Sequence, residues 1–254
     1  MHPSRIISDP AREERLAALR AEVRAIESPA GRGAGLCLPF GLEAIDRRLA
    51  DGGLAVAALH EAAADRPGLP DEAATSLFLA SIAARREGAV LWALARRDLF
   101  APGLAGVGLK PGRVLYAECG RDEDVLAVME EGLRHGGLAA VIGEARRVGM
   151  AATRRLQLAA EEGGTPALML RRRRKAAEDP LAAPSAAVTR WRVASAPSAP
   201  LPAPGIGRAR WHLTLARQRG GEPFQWIMEA ADETGRLALP AGAERRTSEE
   251  RKAA

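Results

Sequence analysis

The sequence predicts an α/β fold with a mostly parallel central sheet flanked by helices and ending in an antiparallel β-meander. Three observations predict it. Short apolar runs at 54–59, 89–94, 138–143 and 166–170 alternate with segments of helical character, the pattern of βαβ units. Glycines fall where the intervening helices should stop, at Gly88, Gly136-Gly137 and Gly163-Gly164. After residue 187 no convincing helix appears, and strand candidates succeed one another across Pro-, Ala- and Gly-rich pieces.

The elements follow in chain order. Asp9 can N-cap a helix over 9–27, and Pro10 suits its first position. Leu16, Leu19, Val23 and Ile26 recur at spacings of three and four, so they form one narrow apolar stripe on an otherwise charged helix. That stripe must be buried, on its own domain, on a partner or on a neighbouring copy. Residues 28–35 (SPAGRGAG) read as a linker, making 1–37 an N-terminal helix and linker ahead of a core domain over 38–240. Within the core, a helix over 42–49 ends at Asp51-Gly52-Gly53 and leads into a strand at 54–59. A helix around 74–86 precedes the strand at 89–94, and a turn at Pro111-Gly112 precedes a third strand within 108–118. Asp122 can N-cap a helix to about His135 with Val125, Met129 and Leu133 on one face. The strand at 138–143, a helix at 150–162 and the strand at 166–170 complete the alternating part. A polar loop over 171–187 then separates it from strand candidates at 190–196, 208–219, 224–231 and 236–239. Residues 241–254 read as a disordered tail.

Composition bounds the function. At 254 residues and 47% hydrophobic the chain can bury a core, but aromatics are only 4%, so Leu, Val and Ala must build it. The net charge of +5 is modest, yet residues 165–221 alone carry 11 basic and 2 acidic side chains. A local surplus of this size points to an acidic or polyanionic partner, or to a solvated charged loop. Cys37 and Cys119 stand apart from any CxxC or Cys/His cluster, and His2, His60, His135 and His212 are scattered. No metal site is expected, because zinc needs about four clustered ligands. No apolar leader opens the chain and no run reaches the roughly 18 apolar residues of a membrane span. Two isolated thiols fit a cytoplasmic protein. No Gly-x-Ser-x-Gly elbow argues for a serine hydrolase.

The candidate chemistry lies between the first strand and its helix. HEAAADRPGLPDE (60–72) occupies the place where strand–loop–helix proteins carry G-x-x-x-x-G-K-[ST]. Thr75 offers the hydroxyl, but Ala74 stands for the Lys and Ala73 for the Gly, while Asp71 and Glu72 add negative charge. The loop reads as a degenerate nucleotide site.

In this order of features the chain resembles the RecA-like core, and within it the ImuA family of damage-inducible mutagenesis proteins. The resemblance runs from about Leu38 to Leu239 and opens on LPFGLEAIDRRLADGGL. It implies a RecA-like fold whose phosphate loop, a degenerate Walker A motif, has decayed. By the same resemblance Ala95 falls where an active ATPase has its water-polarising Glu, and Glu144 falls at the metal-side Asp position. Positioning and charge stabilisation carry phosphoryl transfer, so an adaptor without catalysis or cofactor is expected. The loop after the strand at 166–170 contacts single-stranded DNA in RecA-like proteins. Here Arg171, Arg172, Arg173, Arg174 and Lys175 open it and Arg190 and Arg192 follow, candidates for DNA or for an acidic partner. Trp191 and Trp211 lie nearby, as stacking platforms or as core.

The resemblance implies a role in SOS-response DNA repair by translesion synthesis, through protein–protein interaction. Implied partners are an ImuB-like inactive Y-family polymerase homologue and an error-prone C-family DNA polymerase. RecA and single-stranded DNA are further candidates, and no membrane is involved. Two other readings stay open: a SulA-like inhibitor of cell division, and a weak ATPase of RecA/KaiC type with a divergent loop.

Overall fold

The computed structural model describes residues 36–240 except 174, 202, 203 and 206. The proposed N-terminal helix with its stripe Leu16, Leu19, Val23 and Ile26 lies outside the described residues, as does the segment from 241 onward. A short antiparallel pair, β1 (Cys37–Leu38) and β2 (Leu54–Ala55), brackets a one-turn helix α1 (Glu43–Asp46). The main elements follow: β3 (Leu59–Ala64), α2 (Leu69–Ala84), β4 (Val90–Leu94), α3 (Ala101–Gly106), β5 (Val114–Glu118), α4 (Asp122–His135), β6 (Ala140–Ala145), α5 (Met150–Gly163), β7 (Ala167–Arg171), β8 (Thr189–Ala196), β9 (Arg210–Gln218) and β10 (Phe224–Glu229).

The large sheet has the order β10-β9-β8-β3-β7-β6-β4-β5. Its six strands from β8 to β5 are parallel neighbours, and β9 and β10 add on antiparallel. Each central strand alternates between two cores. Trp92, Ile142, Leu168 and Leu170 face α2, together with Phe40, Ile45 and Phe78. Ala93, Val141, Ala167 and Met169 face α4 and α5, meeting Val125, Met129 and Leu156. Burial on both faces makes such strands read as unbroken apolar runs. Phe78 of α2 is the hub of the first core. Its ring lies 6.3 Å from Phe40, 5.5 Å from Trp191 and 6.3 Å from Trp211. Both tryptophans are therefore core residues, and neither is a stacking platform.

The structure moves several boundaries. The strand expected at 54–59 is two strands, β2 and β3, and β3 runs on to Ala64 through residues that read as loop. His60 and Glu61 look polar in sequence, but their partners sit on strands distant in the chain. His60 bonds Thr189 Oγ1 at 2.7 Å and the Ala55 carbonyl at 2.8 Å, and burial lowers its pKa to about 4. The helix expected near 74–86 begins at Leu69, and a short helix, α3, occupies a stretch given no element. Asp122 is the first residue of α4 rather than its cap, and its carboxylate accepts the backbone N–H groups of Arg146 and Arg147. The strand candidate 236–239 is reduced to one bridge between Glu229 and Ala238.

Helices α4 and α5 end side by side on left-handed glycines, Gly136 at φ 68° and Gly164 at φ 61°. A Cβ at Gly163 would run into the Leu133 carbonyl of α4. Backbone cannot yield as a side chain does, so Gly163→Ala should lower stability by about 1–3 kcal/mol. Urea denaturation at neutral pH measures it, and an unchanged midpoint would show that the two helices part at no cost.

Candidate functional site

Strands β3, β4, β6 and β7 all end on one edge of the sheet, where ligands of open α/β sheets bind. The turn from β3 to α2 is only Asp65-Arg66-Pro67-Gly68. Pro67 and Pro70 each remove a backbone N–H from the place where a phosphate would be gripped. Gly68 takes φ 130° to let the chain enter the helix. Thr75 is buried a turn and a half inside α2, and its hydroxyl donates to the Asp71 carbonyl at 2.7 Å. Ala74 is buried and Ala73 is exposed on the outer face of the helix. None of the three lines a loop.

The anion at the head of α2 is the protein's own. Asp71 accepts from the Ser195 N–H at 2.8 Å and Ser195 Oγ at 2.9 Å. It also accepts from the Arg66 N–H at 3.1 Å and from the Arg66 guanidinium at 2.9 and 3.1 Å. A carboxylate in the first turn complements the helix dipole, so Asp71 occupies the position that favours a phosphate. Burial would raise its pKa, but the Arg66 and Ser195 hydrogen bonds outweigh that and hold it below the usual carboxylate range.

Deeper in the site lies a second closure. Glu144 sits near the end of β6, 5% exposed, on the face toward α2. Its Oε1 accepts from Trp92 Nε1 at 2.8 Å, and its Oε2 accepts from Arg172 at 2.7 and 3.0 Å. The same guanidinium reaches Glu72 of α2 at 3.0 Å and Asp98 beyond β4 at 3.4 Å. Arg172 thus joins three elements across the mouth of the site. Burial pushes the Glu144 carboxyl above its usual range, while Arg172 and Trp92 pull it back. Burial also works against the Arg172 charge, and the surrounding carboxylates more than restore it. Two hydrogen bonds onto one oxygen are the geometry of an ion pair. Ala95 follows β4 as an exposed methyl and brings no acid to the site. Among the described residues no group of three or more His, Cys, Asp or Glu is placed to hold a metal ion.

The expected DNA-contacting arginines are mostly turned inward. Arg171 and Arg190 are buried against Glu61, at 2.8 and 2.7 Å. Arg173 donates to the carbonyls of Glu178, Ala64 and Asp65. Arg192 makes a two-pronged pair with Asp179 at 2.9 and 2.7 Å. Arg174 lies outside the described residues, and Lys175 is exposed. Buried guanidiniums at Arg171 and Arg190 offer nothing to a phosphate in solvent, which corrects their assignment to an outer DNA surface. The exposed cations of this edge are others. Arg96 follows β4, Arg146 and Arg147 follow β6, and with Lys175 they stand on three separate loops. Arg146, Arg147 and Lys175 share the lining of one open pocket with Asp122 and Glu123 at the start of α4. The sequence did hold a signal for three of them: an Arg-Arg pair stands directly after β6 in GEARR and one residue after β4 in ALARRD.

No family model matches the chain. The chain is similar to two proteins named Protein ImuA from two strains of Caulobacter vibrioides. Each is 37% identical over 204 residues, covering 77% of this chain and 84% of the relative. Among solved structures it is similar to the RadB recombinase, with TM-score 0.56 and 15% identity, covering 80% of this chain and 99% of that one. At that identity the likeness concerns the fold, which is a RecA-like core.

Two substitutions separate the two closures by pH. Asp71 has a lowered folded pKa, so its contribution is present above the unfolded value of 3.8 and is lost as pH falls through the lower folded value. Asp71→Asn should cost about 2 kcal/mol at pH 7 and remove that acid limb. Glu144 has the opposite sign. Its folded pKa lies above the unfolded 4.5, so the folded state favours the neutral acid and stability declines as pH rises through the folded value. Arg172→Ala takes away the counter-charge and should cost about 3 kcal/mol at pH 8, less at pH 5. Urea titrations at several pH values read both, and a pH-independent loss for Arg172→Ala would refute the pairing.

Proposed function

The chain belongs to the ImuA family, and from that premise we propose that it is a non-catalytic RecA-like accessory protein of damage-inducible mutagenesis. One observation carries the reading. The place where a RecA-type ATPase would hold its nucleotide is filled by the protein's own charges, Asp71 at the head of α2 and Arg172 between Glu144, Glu72 and Asp98. A nucleotide would have to displace a buried ion pair and would meet no phosphate-gripping backbone. Catalytic stabilisation of a transferring phosphoryl group needs cations and N–H donors aimed at it, and this site aims carboxylates instead.

The scaffold then acts by binding. We carry over from the family the ImuB-like inactive Y-family polymerase homologue and the error-prone C-family polymerase as protein partners in translesion synthesis, in the cytoplasm. Single-stranded DNA is assigned to the exposed cations Arg96, Arg146, Arg147 and Lys175, which stand on the loops at the carboxyl edge of the sheet. Sequence-independent phosphate contact is what such a set supports.

The expected outcome of a phosphate-release assay is no turnover above buffer, with or without single-stranded DNA, and no rise in Tm on adding ATP and magnesium. Turnover would restore the reading as a divergent ATPase. For DNA, anisotropy of a labelled oligonucleotide should weaken steeply with salt. Arg146→Ala/Arg147→Ala/Lys175→Ala should flatten the log–log salt slope by about 2, near 0.7 for each lost phosphate contact on a single strand. An unchanged slope would remove this surface. Co-purification with a tubulin-like division GTPase in place of a polymerase would favour the cell-division inhibitor.

A further inference from the structure

Five charged side chains line one open hollow of about 410 Å³, a size within the range of small-ligand sites. Asp122 and Glu123 come from the head of α4, Arg146 and Arg147 from the turn after β6, and Lys175 from the loop after β7. The hollow is separate from the two closures at the head of α2 and around Arg172, none of whose charges line it. Asp122 builds it. Its Oδ2 accepts the Arg146 and Arg147 N–H groups at 3.1 and 2.8 Å, which fixes the turn after β6 against the first turn of α4. Two cations and the neighbouring Glu123 are thereby held around one space.

What sets the hollow apart is that its charges do not pair. Elsewhere Arg66 bonds Asp71, Arg97 bonds Glu118, Arg121 bonds Asp124 and Arg172 bonds Glu144. Here Glu123, Arg146, Arg147 and Lys175 make no ion pair and no side-chain hydrogen bond among the described residues. Arg121 lies near enough to feel the Glu123 charge, yet its guanidinium is committed to Asp124. Opposite charges left open around one space fit a ligand that is itself divided, anionic at one end and bearing N–H donors at the other. A nucleotide has that division, in its phosphate and its base edge. An acidic peptide would use the cations and be repelled by Glu123. We infer, on the premise that single-stranded DNA meets this rim, that the hollow takes one nucleotide of the strand and prefers guanine there. The phosphate lies on Arg146, Arg147 and Lys175, and the Glu123 carboxylate reads the base. An ionised carboxylate only accepts hydrogen bonds. Guanine alone offers it two adjacent donors, N1–H and the N2 amino group, matched to its two oxygens. Adenine and cytosine set a ring-nitrogen acceptor beside the amino group, and thymine sets its one N–H between two carbonyls. Each of those three therefore turns a lone pair toward the carboxylate. A good bidentate base contact discriminates on the order of tenfold to a hundredfold.

Anisotropy on the full chain tests it, with two labelled strands of one length, one all thymine and one with spaced guanines. The guanine strand should bind about tenfold tighter. Inosine in place of each guanine keeps N1–H and lacks the N2 amino group, and should remove most of that gain. Glu123→Gln should bring the two strands within about twofold of each other. Equal binding of both strands, with a salt slope that Arg146→Ala/Arg147→Ala/Lys175→Ala flattens, overturns the guanine preference and leaves the single-strand contact standing. A preference that persists in Glu123→Gln, even with both strands bound tighter, reduces Glu123 to a repulsion of phosphate and overturns the assignment. If neither strand binds, the contact and the preference both fail, and a poly-Glu peptide that binds instead gives the cations to a protein partner.

Discussion

Everything at the centre of this molecule is arranged around one carboxylate. Glu61 sits in the middle strand β3 with no exposed surface, and it is held by Arg171 of β7 and Arg190 of β8, the two strands that flank β3. A buried carboxylate is costly unless paired, so the sheet can close only with both arginines in register. The consequences spread outward. Arg171 also reaches the Val148 carbonyl in the loop before α5, and Arg190 reaches the Leu181 carbonyl in the segment between β7 and β8. Arg192 and Arg217 add bonds to Asp179 and to the Ser185 carbonyl. The segment between β7 and β8 is thereby tied at Asp179, Leu181 and Ser185 to arginines of β8 and β9.

This explains how a chain so rich in arginine presents so little of its charge where the sequence concentrates it. Guanidiniums have five donors in a planar fork, and here they serve as internal cross-links between strands, loops and helix ends. Arg172 does this at the carboxyl edge of the sheet, Arg66 at the head of α2, Arg173 at the end of β3. Among the cations exposed at that edge, Arg96, Arg146, Arg147 and Lys175 follow strand ends.

Much of the fold was legible because βαβ units write themselves in short apolar runs and glycine stops. Strands β4, β6 and β7 and helices α4 and α5 fall within a few residues of their expected places. The most consequential miss has one physical reason. β3 carries His60 and Glu61, polar residues that look like loop until Thr189, Arg171 and Arg190 are brought beside them from more than a hundred positions away. Missing the end of that strand put the loop in the wrong place and gave Thr75 a role its helical position does not allow. The same gap misassigned the arginines after β7, since a charge run shows its sign but not its partner.

The sequence by itself determined the alternation of elements, the class of sheet and the lack of a G-x-x-x-x-G-K-[ST] motif after the first strand, because these depend on local periodicity, on glycine and on the absence of a lysine. The tertiary structure alone decided which side chains close the edge of the sheet after β3 and β6. Asp71 at a helix head and Arg172 among three carboxylates are juxtapositions of residues far apart in the chain, and pairing energy depends on distance in space and burial from water, neither of which a linear order of residues contains.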